Sequence, residues 1–160
     1  MYLSFIAFLL AAPAIDSGQS VPVLSPAENA AIFRAAGARL IAGKWVMCAG
    51  EPNPEGATIQ TVKDINGDGR PDAIVTENGS YCYGAAGTGF KIVSRQAKGG
   101  WTLIAGGAGV PEFVGVPAID GWPDLSIGGP GFCFPIQFWN KRAYVTYKYA
   151  YQGKPCLPNR

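Results

Sequence analysis

The sequence contains no histidine, and charged residues make up only 15% of its 160 positions. Without histidine the chain lacks the commonest general base, any Ser-His or Cys-His nucleophilic pair, and the ligand found in most zinc sites. An enzyme built from this chain would have to depend on carboxylates, lysine or a metal-bound water. We therefore expect a protein that is not an enzyme.

Neither sign of charge dominates the chain. Thirteen Lys and Arg residues against 11 Asp and Glu residues give a net charge of +2, and no basic run occurs. Because nucleic-acid-binding domains usually carry a basic patch or stripe, we expect no nucleic-acid partner. The aromatic residues, 12% of the chain, are better explained as the core of a β-sheet.

The 22 glycines and 13 prolines favour short strands joined by many turns. One helix is predicted near the N-terminus, because Ser25 suits an N-cap, Pro26 the first helical position and Glu28 a capping box. After Gly43 the chain reads as hairpins without room for crossover helices, which predicts antiparallel sheets. The dipeptide Asn78-Gly79 predicts a tight turn between "AIVTE" and "SYCYG".

The two halves of this β-rich region resemble each other. "DGRPDAIV" at 68–75 matches "DGWPDLSI" at 120–127, and "SYCY" at 80–83 matches "GFCF" at 131–134. "FKIVSRQ" and "AYVTYKY" then take similar places. The pattern predicts a mainly β fold for a single domain over residues 25–160, with duplicated units at about 58–105 and 110–157. We expect two blade-like units of antiparallel hairpins in propeller-like or sandwich packing.

Residues 1–20 predict an export signal. The apolar run at 3–12 has the length of a signal h-region and is too short to span a membrane. "APA" at 12–14 offers a cleavage site, so residues 1–14 are predicted to be a signal peptide cleaved near Ala14, and 15–24 a short linker. The mature protein would be periplasmic or secreted, without a membrane span. An uncleaved anchor or a buried strand is the alternative.

Four cysteines fit an exported protein with two disulfides. They are Cys48, Cys82, Cys133 and Cys156. No C-x-x-C pair occurs among them, and no histidine accompanies them, which argues against a zinc or redox site. Of the three possible pairings, we favour Cys48–Cys82 with Cys133–Cys156.

The segment "DINGDGRPD" at 64–72 carries oxygen-bearing side chains at alternate positions. Numbered from its first residue, positions 1, 3, 5, 7 and 9 are Asp64, Asn66, Asp68, Arg70 through its carbonyl, and Asp72. Such hard oxygen ligands, without nitrogen or sulfur donors, select Ca²⁺. The segment therefore predicts one calcium site, and the alternative is an Asx-rich turn without a metal.

This segment resembles the calcium loop of FG-GAP (VCBS-like) repeats, D-x-[DN]-x-D-G-x-x-D followed directly by an apolar strand. An EF-hand is a poorer match, because Val75 stands where its bidentate Glu would be. The resemblance implies the same five ligands and a repeat of the kind found in integrin-type propellers and bacterial extracellular binding proteins. The copy at Asp120 keeps only the last part of the loop, so we expect no metal there. The whole chain is also similar to small exported bacterial proteins, which implies a compact β-domain.

These features predict an exported calcium-binding β-domain that acts as a binding or interaction module for a protein or glycan partner. Trp122, in a Gly/Pro-rich loop, is the candidate for an exposed ligand-binding residue. One alternative is a periplasmic inhibitor or immunity-like protein that blocks a partner enzyme with a loop such as 128–135. The other is a carboxylate-dependent hydrolase that would use two of four acids, Glu77, Glu112, Asp120 and Asp124.

Overall fold

The computed structural model describes residues 24–158. The predicted signal peptide, 1–14, and all but the last residue of the predicted linker lie outside this range. The described chain is mainly β, with antiparallel sheets and one short N-terminal helix. In this range no helix is long and apolar enough to cross a membrane.

Helix α1, Pro26–Ala35, begins where the sequence predicts. The Ser25 hydroxyl accepts a hydrogen bond from the Glu28 N–H at 3.2 Å. This bond satisfies one of the amide groups that have no partner inside the first turn, and Pro26 has no amide hydrogen to lose there. The helix therefore starts for local reasons that the sequence contains.

Between α1 and residue 158, eleven strands form three antiparallel groups. A hairpin of β1, Arg39–Ile41, and β2, Lys44–Val46, comes first. The first sheet contains β3, Thr58–Lys63; β4, Asp72–Asn78; β5, Thr88–Arg95; and β6, Trp101–Ala108. The second sheet contains β7, Val110–Val114; β8, Asp124–Gly128; β9, Phe134–Trp139; β10, Tyr144–Tyr151; and β11, Lys154–Pro155.

Each sheet is a meander in which every strand pairs with the next one along the chain. The second strand of each sheet begins at a matching aspartate, since β4 starts at Asp72 and β8 at Asp124. The third pair of matched segments does not occupy corresponding strands, so this part of the predicted repeat is wrong. "FKIVSRQ" lies mainly in the third strand of its sheet, and "AYVTYKY" lies mainly in the fourth. Neither sheet closes on itself within residues 24–158.

The tight hairpin predicted at Asn78-Gly79 is wrong. Residues Ser80–Tyr83 form a short helix, α2, followed by a 3₁₀ turn at Gly84–Ala86, and β4 pairs with β5 beyond them. The Gly79 N–H donates to the Gly87 carbonyl at 2.9 Å and closes this wider connection. A disulfide from Cys82 to Cys48 holds α2, so a long-range bond opposes the local turn preference.

Alternate residues of the first sheet enter two different cores. Ala73, Val75 and Val93 pack against Ile32 and Phe33 of α1. The opposite face carries Ile74, Phe90, Ile92 and Ile104, which pack with Trp122, Leu125 and Tyr144 of the second sheet and its preceding loop. Because side chains alternate along a strand, the first sheet lies between the helix and the second sheet.

Both favoured disulfides are present. Cys48–Cys82 joins the segment after β2 to α2, and Cys133–Cys156 joins the start of β9 to the segment after β11. Their Cα atoms are 6.0 and 5.6 Å apart, within the range of ordinary disulfides. Two such bridges are consistent with an oxidising, extracellular environment.

Candidate metal centre

The 64–72 loop closes the hairpin between β3 and β4. Lys63 and Asp72 are direct partners across this hairpin, so the loop begins and ends on adjacent strands. Gly67 and Gly69 have φ angles of 75° and 80°, which an L-residue with a side chain rarely adopts. These two glycines let the loop fold back on itself between its acidic residues.

The Asp64 carboxylate lies at the centre of the loop. Its Oδ1 accepts hydrogen bonds from the N–H groups of Gly67, at 2.7 Å, and Asp68, at 3.2 Å. Its Oδ2 accepts one from the Gly69 N–H at 2.8 Å. The backbone therefore wraps around the first predicted ligand, and the amide hydrogens partly balance its charge.

Asn66 and Asp68 point into the same turn. The Asn66 Oδ1 accepts from the Asp68 N–H at 3.2 Å, and its Nδ2 donates to Asp68 Oδ2 at the same distance. The Arg70 N–H donates to Asp68 Oδ1 at 2.8 Å. The side chains of the first three predicted ligands are thus linked to one another through the loop backbone.

The side chain of Arg70 has a role that the sequence did not indicate. Its Nη2 forms an ion pair with Asp68 Oδ2 at 2.6 Å, and its Nε donates to the Arg95 carbonyl at 3.1 Å. The guanidinium therefore ties the loop to the end of β5. The spacing of the loop assigns a role only to the Arg70 carbonyl, as a metal ligand.

Asp72 is the buried member of the set. It is fully buried, its Oδ2 accepts from the Ile65 N–H at 2.9 Å, and its Oδ1 has no hydrogen-bond partner. Burial raises the pKa of Asp72 above its usual range, and the nearby Asp68 and Asp64 carboxylates raise it further. Two neighbours lower the pKa of Asp72 and so oppose this rise: Ser94, its partner in β5, and the Ile65 N–H. The Ser94 hydroxyl nevertheless forms no hydrogen bond of good geometry to Asp72 Oδ1.

The loop leaves one buried carboxylate oxygen, Asp72 Oδ1, without a hydrogen-bond partner. A buried carboxylate oxygen without a partner is energetically costly, and a bound cation would satisfy it. Within residues 24–158 no three Asp, Glu, His or Cys side chains converge closely enough to hold a metal by themselves. Asn66, the Arg70 carbonyl and water would therefore have to complete the coordination of a Ca²⁺ ion, which accepts six to eight oxygens.

The degenerate copy of the loop touches the first. Residues Ile119–Gly121 form a 3₁₀ turn, in which Asp120 has a φ of 51°. Gly121, with a φ of 77°, approaches the Asn66 carbonyl so closely that any side chain there would overlap it. The loops of the two repeats therefore meet where the two sheets pack together.

Trp122 is buried, and the expectation that it is exposed is wrong. Only 4% of its surface is accessible, and its ring packs with those of Phe113, Trp139 and Tyr144. Trp122 comes two residues before β8, on the side that faces the first sheet. Its aromatic ring therefore contributes to the core between the sheets.

The four candidate acids lie in three separate places. Glu112 and Asp124 line a groove on the outer face of the second sheet, whereas Asp120 lies between the sheets. Glu77 is buried, and its carboxylate accepts hydrogen bonds from the Met47 N–H at 3.0 Å, the Cys48 N–H at 2.7 Å and the Tyr83 hydroxyl at 2.8 Å. Sequence reasoning missed this structural role, since no local pattern connects Glu77 to residues about 30 positions away.

No protein-family model, no curated protein and no solved structure matches this chain.

Proposed function

We propose that the protein is an exported calcium-binding β-domain that serves as a binding or interaction module and not as an enzyme. The observation that carries this proposal is Asp72 Oδ1, which is buried, without a hydrogen-bond partner, and part of a loop with the spacing of a calcium site. A calcium ion there would neutralise three aspartates that otherwise repel one another. The ion would stabilise the fold and take no part in a reaction.

Five groups would hold the ion: the side chains of Asp64, Asn66, Asp68 and Asp72 and the carbonyl of Arg70. Without a bidentate Glu at position 12, water would fill the remaining positions. The Arg70 guanidinium also remains close to the site, paired to Asp68. We expect a dissociation constant on the order of 10⁻⁴ M, in the range of extracellular calcium modules.

The fold supports an interpretation as repeat units of the FG-GAP type. Two consecutive meanders, each with its second strand starting at the matching aspartate, face one another across a shared core. The two disulfides support a periplasmic or secreted location. The binding partner in this proposal is a protein or a glycan.

The calcium proposal is tested by thermal unfolding with the disulfides oxidised. At tenfold excess over its dissociation constant, calcium should stabilise the protein by about 1.4 kcal/mol and raise the midpoint by about 3–6 °C relative to chelator. Asp64→Ala with Asp68→Ala should abolish this shift. The matched control is Asp120→Ala with Asp124→Ala, which changes the corresponding loop of the second repeat and should retain it. Equal midpoints in calcium and chelator would contradict the proposal.

A second candidate function, inhibition of a partner enzyme, is favoured by the loop between β8 and β9. Phe132 in this loop is 58% exposed, although it is aromatic, and its neighbour Cys133 is held by the bridge to Cys156. Exposed aromatic residues on a held loop are typical anchors of protein interfaces. The loop lies at the opposite end of β8 from the 64–72 loop, so it would act independently of calcium.

A further inference from the structure

A cleft of about 270 Å³ lies beside the 64–72 loop, between the two sheets. Its floor includes Ile104 and Trp122. Asp68 and Arg70 form the wall on the side of the loop. We call this space the inter-sheet cleft. The other lining residues used below are Gln96, Thr102, Asp120, Trp139, Lys141 and Arg142.

The aromatic wall of the inter-sheet cleft is fixed in position. Trp139 is half-buried, and its ring centroid lies 5.7 Å from those of both Trp122 and Tyr144. Its Nε1–H donates to Asp120 Oδ2 at 3.2 Å, so the ring and the carboxylate orient one another. An indole beside an oriented acceptor offers a ligand both an apolar surface and a partner for a hydroxyl group.

The charges of the inter-sheet cleft are unbalanced. Arg70 is paired with Asp68 at 2.6 Å. Lys141 and Arg142 form no ion pair with any residue in 24–158. Of the two acids that line the cleft, only Asp120 remains opposite these two cations. The lining therefore has a positive excess near the Lys141-Arg142 turn and one acceptor across from it.

The two charged sides of the inter-sheet cleft sit on strained backbone. Asp120 and Lys141 have φ angles of 51° and 77°, in the left-handed region that residues with a Cβ atom avoid. The Asn140 side chain holds the second turn, since its Oδ1 accepts from the N–H groups of Arg142, at 3.0 Å, and Ala143, at 2.9 Å. Strained residues of this kind cluster at ligand sites, because the strained backbone holds their side chains in the position that the ligand requires.

We propose that the inter-sheet cleft binds one uronic acid residue of an acidic polysaccharide. This inference names the partner class for the binding module proposed above and so rests on that function. The sugar ring would lie against Trp139, its hydroxyls would hydrogen-bond Asp120, Gln96 and Thr102, and its carboxylate would meet Lys141 and Arg142. A bare anion would contact only the two cations, and a neutral sugar would contact only Trp139 and the polar groups opposite them. A ligand with both hydroxyls and a carboxylate would contact the whole lining and therefore fits best.

The 64–72 loop would influence this binding because it forms one wall of the inter-sheet cleft. Asp68 and Arg70 line the cleft, and Asn66 touches Gly121, next to Asp120. A calcium ion in the loop would fix this wall and add positive charge near the carboxylate. We therefore expect tighter sugar binding in calcium than in chelator.

Isothermal titration calorimetry of the full chain with trigalacturonate, neutral galactotriose and sodium acetate tests the inference. Trigalacturonate should bind, galactotriose should bind about tenfold more weakly or not at all, and acetate should not compete at the same concentration. Lys141→Gln with Arg142→Gln should weaken trigalacturonate binding about tenfold. Lys148→Gln with Lys154→Gln removes the same charge from strands outside the cleft and should change affinity less than about twofold.

The inference is overturned if trigalacturonate does not bind, if galactotriose binds equally well, if acetate displaces the sugar, or if both double variants lose affinity equally. Thermal unfolding of each variant confirms that it is folded before its titration is interpreted. Calcium stabilisation without sugar binding would refute this inference and leave the calcium proposal intact. Sugar binding without calcium stabilisation would support this inference and refute the calcium proposal.

Discussion

Two buried carboxylates show how different environments give similar residues different roles. Glu77 is buried and accepts three hydrogen bonds, from Met47, Cys48 and Tyr83. Asp72 is equally buried, but only one of its two oxygens has a partner. Because a satisfied carboxylate needs no further ligand and an unsatisfied one does, Glu77 is structural and Asp72 marks the candidate calcium site.

Tyr83 is predicted to make the protein sensitive to alkali. Its pKa is raised from the usual value of 10.0, first by burial and then by its hydrogen bond to Glu77 and the charges of Glu77 and Glu51. The folded protein therefore favours the neutral phenol, whereas the unfolded chain loses the proton near pH 10. This contribution to stability is complete below that pH and declines as the pH rises above it.

Chemical denaturation between about pH 8 and 11 measures this effect, since the reference pKa of tyrosine is about 10. Tyr83→Phe should lose about 1.5–3 kcal/mol at pH 8, because it removes a hydrogen bond to a carboxylate. Above pH 10 the stability difference between wild type and variant should narrow. A difference that stays constant over this range would show that the ionisation of Tyr83 does not affect folding.

At the level of elements, the two sheets are joined by a close contact between two loops that match in sequence. The hairpin loop at 64–72 lies against the 3₁₀ turn Ile119–Gly121, and the contact depends on the missing side chain of Gly121. The sequence repeat alone does not show that corresponding loops of the two units touch. The contact couples the candidate calcium site to the second sheet.

Gly121→Ala tests this contact, with Gly115→Ala as its matched control. The two glycines have φ angles of 77° and 76°, but a Cβ atom at position 115 would meet nothing within 4 Å. Both variants should lose about 1–2 kcal/mol from backbone strain. Gly121→Ala should lose more, because the Asn66 carbonyl must move, and its calcium response should weaken. Equal destabilisation of the two variants, measured by urea unfolding, would argue against the loop contact.

On the scale of the whole molecule, the first sheet connects the two cores. One of its faces packs on α1 and the other on the second sheet. Unfolding either neighbour would expose a face of this sheet to water, and the apolar area would oppose that exposure. The helix and both sheets should therefore unfold together.

Differential scanning calorimetry of oxidised protein should show one transition. Two variants remove a fully buried side chain: Ile32→Ala from the core with α1, and Ile92→Ala from the core between the sheets. Each should lower the stability of the protein by about 2–5 kcal/mol. Ile41→Ala, at a position 42% exposed, is the control and should cost less than about 1 kcal/mol. Two separate transitions, each sensitive to only one of the buried variants, would refute a single cooperative unit.

Local sequence signals predicted the local features of the fold well. The cap formed by Ser25 and Pro26 places the start of α1, because its hydrogen bond spans only three residues. The matching aspartates, Asp72 and Asp124, mark the same strand in each sheet. Antiparallel pairing also followed from the sequence, because connections this short cannot join parallel strands.

Two predictions from local sequence signals are wrong where a distant part of the chain makes a contact. Asn78-Gly79 has the composition of a tight turn, but the Cys48–Cys82 bridge holds a short helix there. Trp122 lies in a polar loop, but the second sheet packs it beneath Trp139 and Tyr144. In the first case a disulfide outweighs the turn preference of two residues. In the second case burial of an aromatic ring outweighs the tendency of a loop residue to be exposed.

The sequence by itself determined the β-class, the start of α1 and the spacing of oxygen-bearing side chains in the nine-residue loop, because each depends on residues close together in the chain. Only the tertiary structure decided that Asp72 is buried with one oxygen unpartnered, and that the two repeat loops enclose a cleft. Burial and the cleft arise where two sheets meet, and the residues that meet there, such as Asn66 and Gly121, are far apart in sequence.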